Sequence, residues 1–66
     1  MASQDVVDVP ADLRAALAAD AQAERAFAAL ARSHKAEYLK WIAEAKKPET
    51  RARRVAETIA RLRSTR

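Results

Sequence analysis

The sequence predicts an all-α fold, a compact bundle of three to four short helices with the last two joined at a proline hinge. Three observations carry this expectation. Half of the 66 residues are hydrophobic, eighteen residues are alanine, and glycine is absent, a composition of high helix propensity. The large apolar residues recur at spacings of three and four, the period of a helix with one buried face. The two prolines, Pro10 and Pro48, precede such runs at the place where a helix can open without losing a hydrogen bond.

Residues 1–9, "MASQDVVDV", mix Asp, Ser and Gln with valine and lack helical spacing, so they read as a flexible N-terminal tail. The helical domain is expected over 10–63, with 64–66 frayed. Pro10 suits the first turn of the first helix, and Asp12 in that turn complements the helix dipole. Leu13 and Leu17 lie one turn apart with Ala16 beside them. Asp20 is the expected N-cap of a second helix, in which Ala23, Ala26, Phe27 and Leu30 share a face. One longer helix is the alternative, but a single rod has nothing to fold its apolar face against. Ser33 is the next expected cap, opening "HKAEYLKWIAEAKK". Tyr38, Trp41, Ile42 and Ala45 form its apolar stripe, while Glu37, Lys40 and Glu44 lie opposite. Lys46 and Lys47 stand where they complement the end of that helix. Pro48 ends it and starts the last helix, whose apolar face is expected to be Ala52, Val55, Ile59 and Leu62.

The expected core is therefore Leu13, Leu17, Phe27, Leu30, Tyr38, Trp41, Ile42, Val55, Ile59 and Leu62. Each large side chain buried contributes roughly 1.5–3 kcal/mol, against about 1–2 kcal/mol of backbone entropy for every residue ordered. A chain this short is close to the lower limit for an independent core.

Composition also excludes function classes. Cysteine is absent and there is one histidine, so neither a disulfide nor a closed zinc site is expected, and no cofactor is called for. Without glycine there is no phosphate loop of the Walker or Rossmann type. No apolar run approaches the ~20 residues of a membrane span, and the acidic start does not resemble a signal peptide. A soluble, cytoplasmic protein is the expectation.

The net charge of +4 is unevenly spread. Residues 1–32 carry five acids and three bases, a balance of −2; residues 33–66 carry ten bases and four acids, a balance of +6. Such asymmetry points to an anionic partner. Lys46, Lys47, Arg53, Arg54 and Arg61 are the candidate anion- or partner-binding residues, although a solvated outer face partly neutralised by Glu57 is the commoner use of such residues. Around the hinge, Trp41, Pro48, Thr50 and Arg51 are assigned a structural role. Arg51 lies at the margin of the apolar face, where it can lay its stem on the core and fork onto Glu37, Glu44, Glu49 or the free carbonyls ending the third helix. Tyr38 and Trp41 can stack on bases, but their place in the apolar stripe favours core packing. His34, with Glu37 and Ser33 near it, is a nominal general base. Adjacent residues on a helix point about 100° apart, so Ser33 is badly aimed at it.

The stretch "WIAEAKKPETRARR" carries a resemblance. Together with Val9, Pro10, Asp12, Leu13, Ala16, Leu17, Phe27, Leu30, Glu37, Tyr38, Val55 and Ile59, it resembles the bacterial bacteriocin-protection, YdeI/OmpD-associated family over about residues 9–62. Members of that family usually carry a further N-terminal segment, so the chain resembles a stand-alone C-terminal helical unit. The resemblance implies protection against bacteriocins or association with an outer-membrane porin, and brings no catalytic residues. The expected function is a non-enzymatic interaction module with a basic C-terminal face, in bacteriocin or stress tolerance. Its expected partner is a protein. The alternative is a small nucleic-acid-binding protein that contacts phosphates through the Arg-rich last helix. A homodimer would give the broad alanine faces something to cover.

Overall fold

The computed structural model describes residues 9–64. Four helices follow one another: α1 (Ala11–Ala18), α2 (Ala21–Ala29), α3 (Arg32–Ala43) and α4 (Pro48–Ser64). Val9, at the end of the expected tail, is half-buried against the core. Ser64 is the last residue of α4, and its hydroxyl donates to the Ala60 carbonyl at 3.1 Å. The rest of the two expected terminal segments lies outside the described residues.

Local chemistry sets most of the helix ends. Pro10 is the N-cap of α1 with extended backbone, and its carbonyl accepts from the Arg14 amide at 2.9 Å. Asp20 divides α1 from α2 as expected. Its backbone is extended, and its Oδ1 accepts from the Ala23 amide at 3.1 Å. Such a cap is worth about 1 kcal/mol.

Two expected boundaries are corrected. Ser33 caps nothing: Ala31 is the N-cap of α3 and supplies no side-chain hydrogen bond. Leu30 packs against the core, so the chain leaves α2 there, runs extended through Leu30 and Ala31, and re-enters a helix immediately. At the other end α3 stops at Ala43 rather than Lys47. The Ala45 amide turns back to the Ile42 carbonyl at 3.1 Å, and the residue before Pro48 is disfavoured from helical backbone. Lys46 and Lys47 thus lie in the connection and not in the last turn of a helix.

The 17-residue α4 is the spine of the bundle. It packs against α1, α2 and α3, α1 also packs against α2, and α3 rests chiefly on α4. The side chains of Gln22 and Asp20 hold the far end of α4: Gln22 Nε2 donates to the Arg63 carbonyl at 3.0 Å, and Arg63 Nε lies 3.3 Å from Asp20 Oδ2. Among the described residues no helix is long and apolar enough to cross a membrane.

The core consists of Leu13, Leu17, Ala23, Phe27, Ile42, Val55 and Leu62, with Thr58 buried among them. Leu30, Trp41 and Ile59 are only partly buried at its edge, where Leu39 joins them. Tyr38 is half-buried and outside this cluster, a correction to the expected core. The α4 face is also rotated from the expected one. Val55, Thr58 and Leu62 are buried, whereas Ala52 is exposed. Thr58 can sit there because its hydroxyl donates to the Arg54 carbonyl one turn earlier at 2.8 Å, leaving its methyl to pack.

Candidate functional site

The hinge reverses the chain so that the face of α4 bearing Arg54 and Arg61 meets the end of α3 at Trp41. Arg54 and Arg61 are seven residues apart, about two helical turns, and therefore lie on one side of α4. Their guanidinium carbons stand 5.2 and 5.5 Å from the centre of the Trp41 ring, within cation–π range. Arg54 Nη1 also donates to the Trp41 carbonyl at 2.7 Å. That carbonyl is one of those a helix end leaves without an amide partner, so the arginine completes the C-terminus of α3. Arg61 is held in addition by Glu57, with Nη2 to Oε2 at 2.9 Å.

Beyond this arginine–tryptophan contact, Leu30, His34, Glu37, Tyr38, Trp41 and Arg61 line an open groove of about 490 Å³. One wall is the side of α3 bearing His34, Glu37, Tyr38 and Trp41, and Arg61 of α4 stands on the other. Tyr38 and Trp41 are each half-buried, so both present an aromatic surface to the groove without belonging wholly to the core. Lys35, on the same helix, lies over the Phe27 ring at 5.7 Å.

Residues 6–64 match the family described as bacteriocin-protection, YdeI or OmpD-associated. The chain belongs to that family. No curated protein and no solved structure gives a significant match. The YdeI/OmpD-associated match thus spans all four helices, including the whole groove and hinge.

The five cations singled out in the sequence are divided by the fold. Lys46, Lys47 and Arg53 are exposed, the two lysines in the connection and Arg53 on α4. Arg54 is half-buried against Trp41, and Arg61 is exposed at the groove wall. Of the hinge residues, Pro48 is the first residue of α4, Thr50 is half-buried in its first turn, and Trp41 holds Arg54. The carboxylate partner of Arg51 is corrected. It is Asp12 of α1, with Arg51 Nε 2.6 Å from Oδ2 and Nη2 3.2 Å from Oδ1. The carbonyl ending α3 is taken by Arg54 instead. Arg51 therefore ties the first helix to the last, 39 residues away, rather than closing the local hinge. His34 is exposed on the groove, with Ser33 next to it in the chain.

A second shallow groove of about 520 Å³ adjoins this ion pair, lined by Val9, Pro10, Leu39, Ala43 and Arg51. The hydrogen bond from Arg51 holds the Asp12 carboxyl below the usual carboxylate range, opposed in part by desolvation. A depressed folded-state pKa contributes stability that is complete above the unfolded value and is lost as pH falls through the folded one. Asp12→Asn is thus expected to be less stable than wild type at neutral pH, with the two converging below about pH 4. The side chains are 33% and 41% exposed, so solvent screens the pair and the difference will be modest. Thermal melts of both proteins across that range check it, and a difference that persists unchanged in acid would assign Asp12 another role.

Proposed function

We propose that this member of the YdeI/OmpD-associated family is a non-enzymatic interaction module, acting in the cytoplasm and binding a protein partner across α3 and α4. The observation that supports this best is the groove in which Tyr38, Trp41 and Arg61 are presented together. Tyrosine, tryptophan and arginine are the residue types that dominate the energetics of protein interfaces, and rigid partly buried aromatics lose little entropy on binding. In bacteriocin protection, which the family description names, or in stress tolerance more broadly, such a module would act by holding a partner rather than by turning over a substrate.

The test is capture of a partner from nuclease-treated extract on immobilised full-length protein. The comparison is a groove variant, Glu37→Lys with Arg61→Glu, whose helicity is checked by circular dichroism. Recovery of the same protein on wild type, and its loss on the folded variant, is the expected result. Equal recovery on both would reject the groove as the binding face.

A second reading, phosphate contact with DNA or RNA, is favoured by the exposure of Lys46, Lys47 and Arg53. Replacing these three together by alanine leaves the Trp41 contacts intact. Under this reading, wild type binds short duplexes with an affinity that falls steeply with salt, and the triple variant does not.

A further inference from the structure

We infer that the first half of α3, residues 32–37, opens and closes as a unit while the rest of the bundle stays folded, which makes it a movable rim of the groove.

The burial pattern divides α3 in two. Tyr38, Leu39 and Trp41 are partly buried, and Ile42 has no exposed surface. Leu39, Trp41 and Ile42 belong to the core or pack against it, and the Trp41 carbonyl is held by Arg54. Residues 31–37 are exposed except for Lys35, which lies half-buried over the Phe27 ring at 5.7 Å. Arg32 has a further contact, but it is exposed, and a charged side chain at the surface gains little over its hydration.

Local chemistry does not make up for the missing packing. The other three helices each carry an acid in the first turn, Asp12 in α1, Glu24 in α2 and Glu49 in α4, and Asp20 caps α2. In α3 the N-cap, Ala31, gives no side-chain hydrogen bond, and the first turn holds no acid. Arg32 and Lys35 stand there instead, where the positive end of the helix dipole disfavours a cation. So short a helical segment is not stable without tertiary packing. Once Arg32 and Lys35 let go, the next residue with buried surface is Tyr38, so the segment is released up to that point and not beyond.

His34 and Glu37 line the groove from this segment, whereas Tyr38, Trp41 and Arg61 line it from the anchored side. Opening removes one rim and leaves the aromatic side in place. For the interaction reading above, a ligand that touches His34 or Glu37 binds only the closed rim, and closing is part of its binding free energy. The opening itself does not depend on that reading, and it is tested with no ligand present.

The test is amide hydrogen exchange of the full-length protein, followed residue by residue by NMR across a urea series below the unfolding transition. Lys35, Ala36 and Glu37 are expected to be protected to within about threefold of one another and at least about tenfold less than residues 55–62 of α4. Their exchange should hardly depend on urea, because a local opening exposes little surface. Two variants then separate local from global opening. Leu17→Ala, in the core on α1, should lower the protection of α4 at least about tenfold and leave Lys35, Ala36 and Glu37 unchanged. Ala31→Asp, which supplies the missing cap, should slow exchange at those three amides about fivefold. If the three amides follow α4 through Leu17→Ala, or share its urea slope, the segment unfolds only with the bundle and the inference is overturned. The urea slopes decide this on wild type alone should Leu17→Ala not fold. Protection that climbs steeply from Lys35 to Glu37 would also overturn it, reducing the opening to the fraying of a helix end. Absence of protection at all three would do the same, since it denies the closed state.

Discussion

Leu62→Ala is expected to cost about 2–5 kcal/mol, a large share of the stability of a domain this small. At roughly 0.05–0.15 kcal/mol per residue, a domain of this length has only about 3–10 kcal/mol of stability to lose. Leu62 is 1% exposed, on the helix against which the other three pack, one residue before the Arg63 carbonyl and guanidinium tied to Gln22 and Asp20. Its truncation opens a cavity that α4 cannot collapse into without shifting all of these contacts. Ile59→Ala, at the partly buried edge of the same helix, should cost distinctly less, because its neighbours can close over the gap. Urea denaturation followed by circular dichroism measures both. If Ile59→Ala proves the more damaging, the centre of the bundle lies nearer the hinge than the buried residues indicate.

The legible parts of this fold are those decided within a few residues of chain. Asp20 could be read as a cap because the amide it serves is three residues away, and Pro48 as a helix start because its own ring dictates the backbone. The α4 face was harder. Alanine occurs on both sides of the helix, so Ala52 gave no direction, and Thr58 looked polar although its hydroxyl is satisfied within its own helix. Tyr38 kept the helical spacing of a core residue. The deeply buried member of its stripe is Ile42, near the hinge, and Tyr38 lies one turn before it on the groove wall. The candidate site was legible as residue types and not as an arrangement. That Asp12 answers Arg51 across 39 residues, and that Arg54 and Arg61 share Trp41, depends on how α4 is rotated in the bundle, which no local spacing states.

That rotation gives the second large prediction: Arg54→Ala should cost about 2–4 kcal/mol, whereas Arg53→Ala should be within about 0.5 kcal/mol of wild type. The two arginines are neighbours in sequence and were equivalent as candidate binding residues. Arg53 is exposed, while Arg54 is half-buried, donates to the Trp41 carbonyl at 2.7 Å and lies over the ring. A charge-assisted hydrogen bond contributes about 1.5–3 kcal/mol and a partly desolvated cation–π contact about 0.5–2 kcal/mol, and the two share one guanidinium and do not simply add. Arg54→Lys should recover only part of the loss, since an ammonium lacks the planar fork with which a guanidinium can face the ring and donate to the carbonyl together. Urea midpoints and the emission of Trp41 distinguish these outcomes, because freeing the ring exposes it to water. The consequence reaches the functional tests. A binding defect in a variant lacking Arg54 reports the fold before it reports a ligand, so the basic surface has to be examined through Lys46, Lys47 and Arg53. If Arg54→Ala is instead as stable as Arg53→Ala, Arg54 joins those exposed cations, and the phosphate-contact reading gains the residue that the Trp41 contact otherwise withholds from it.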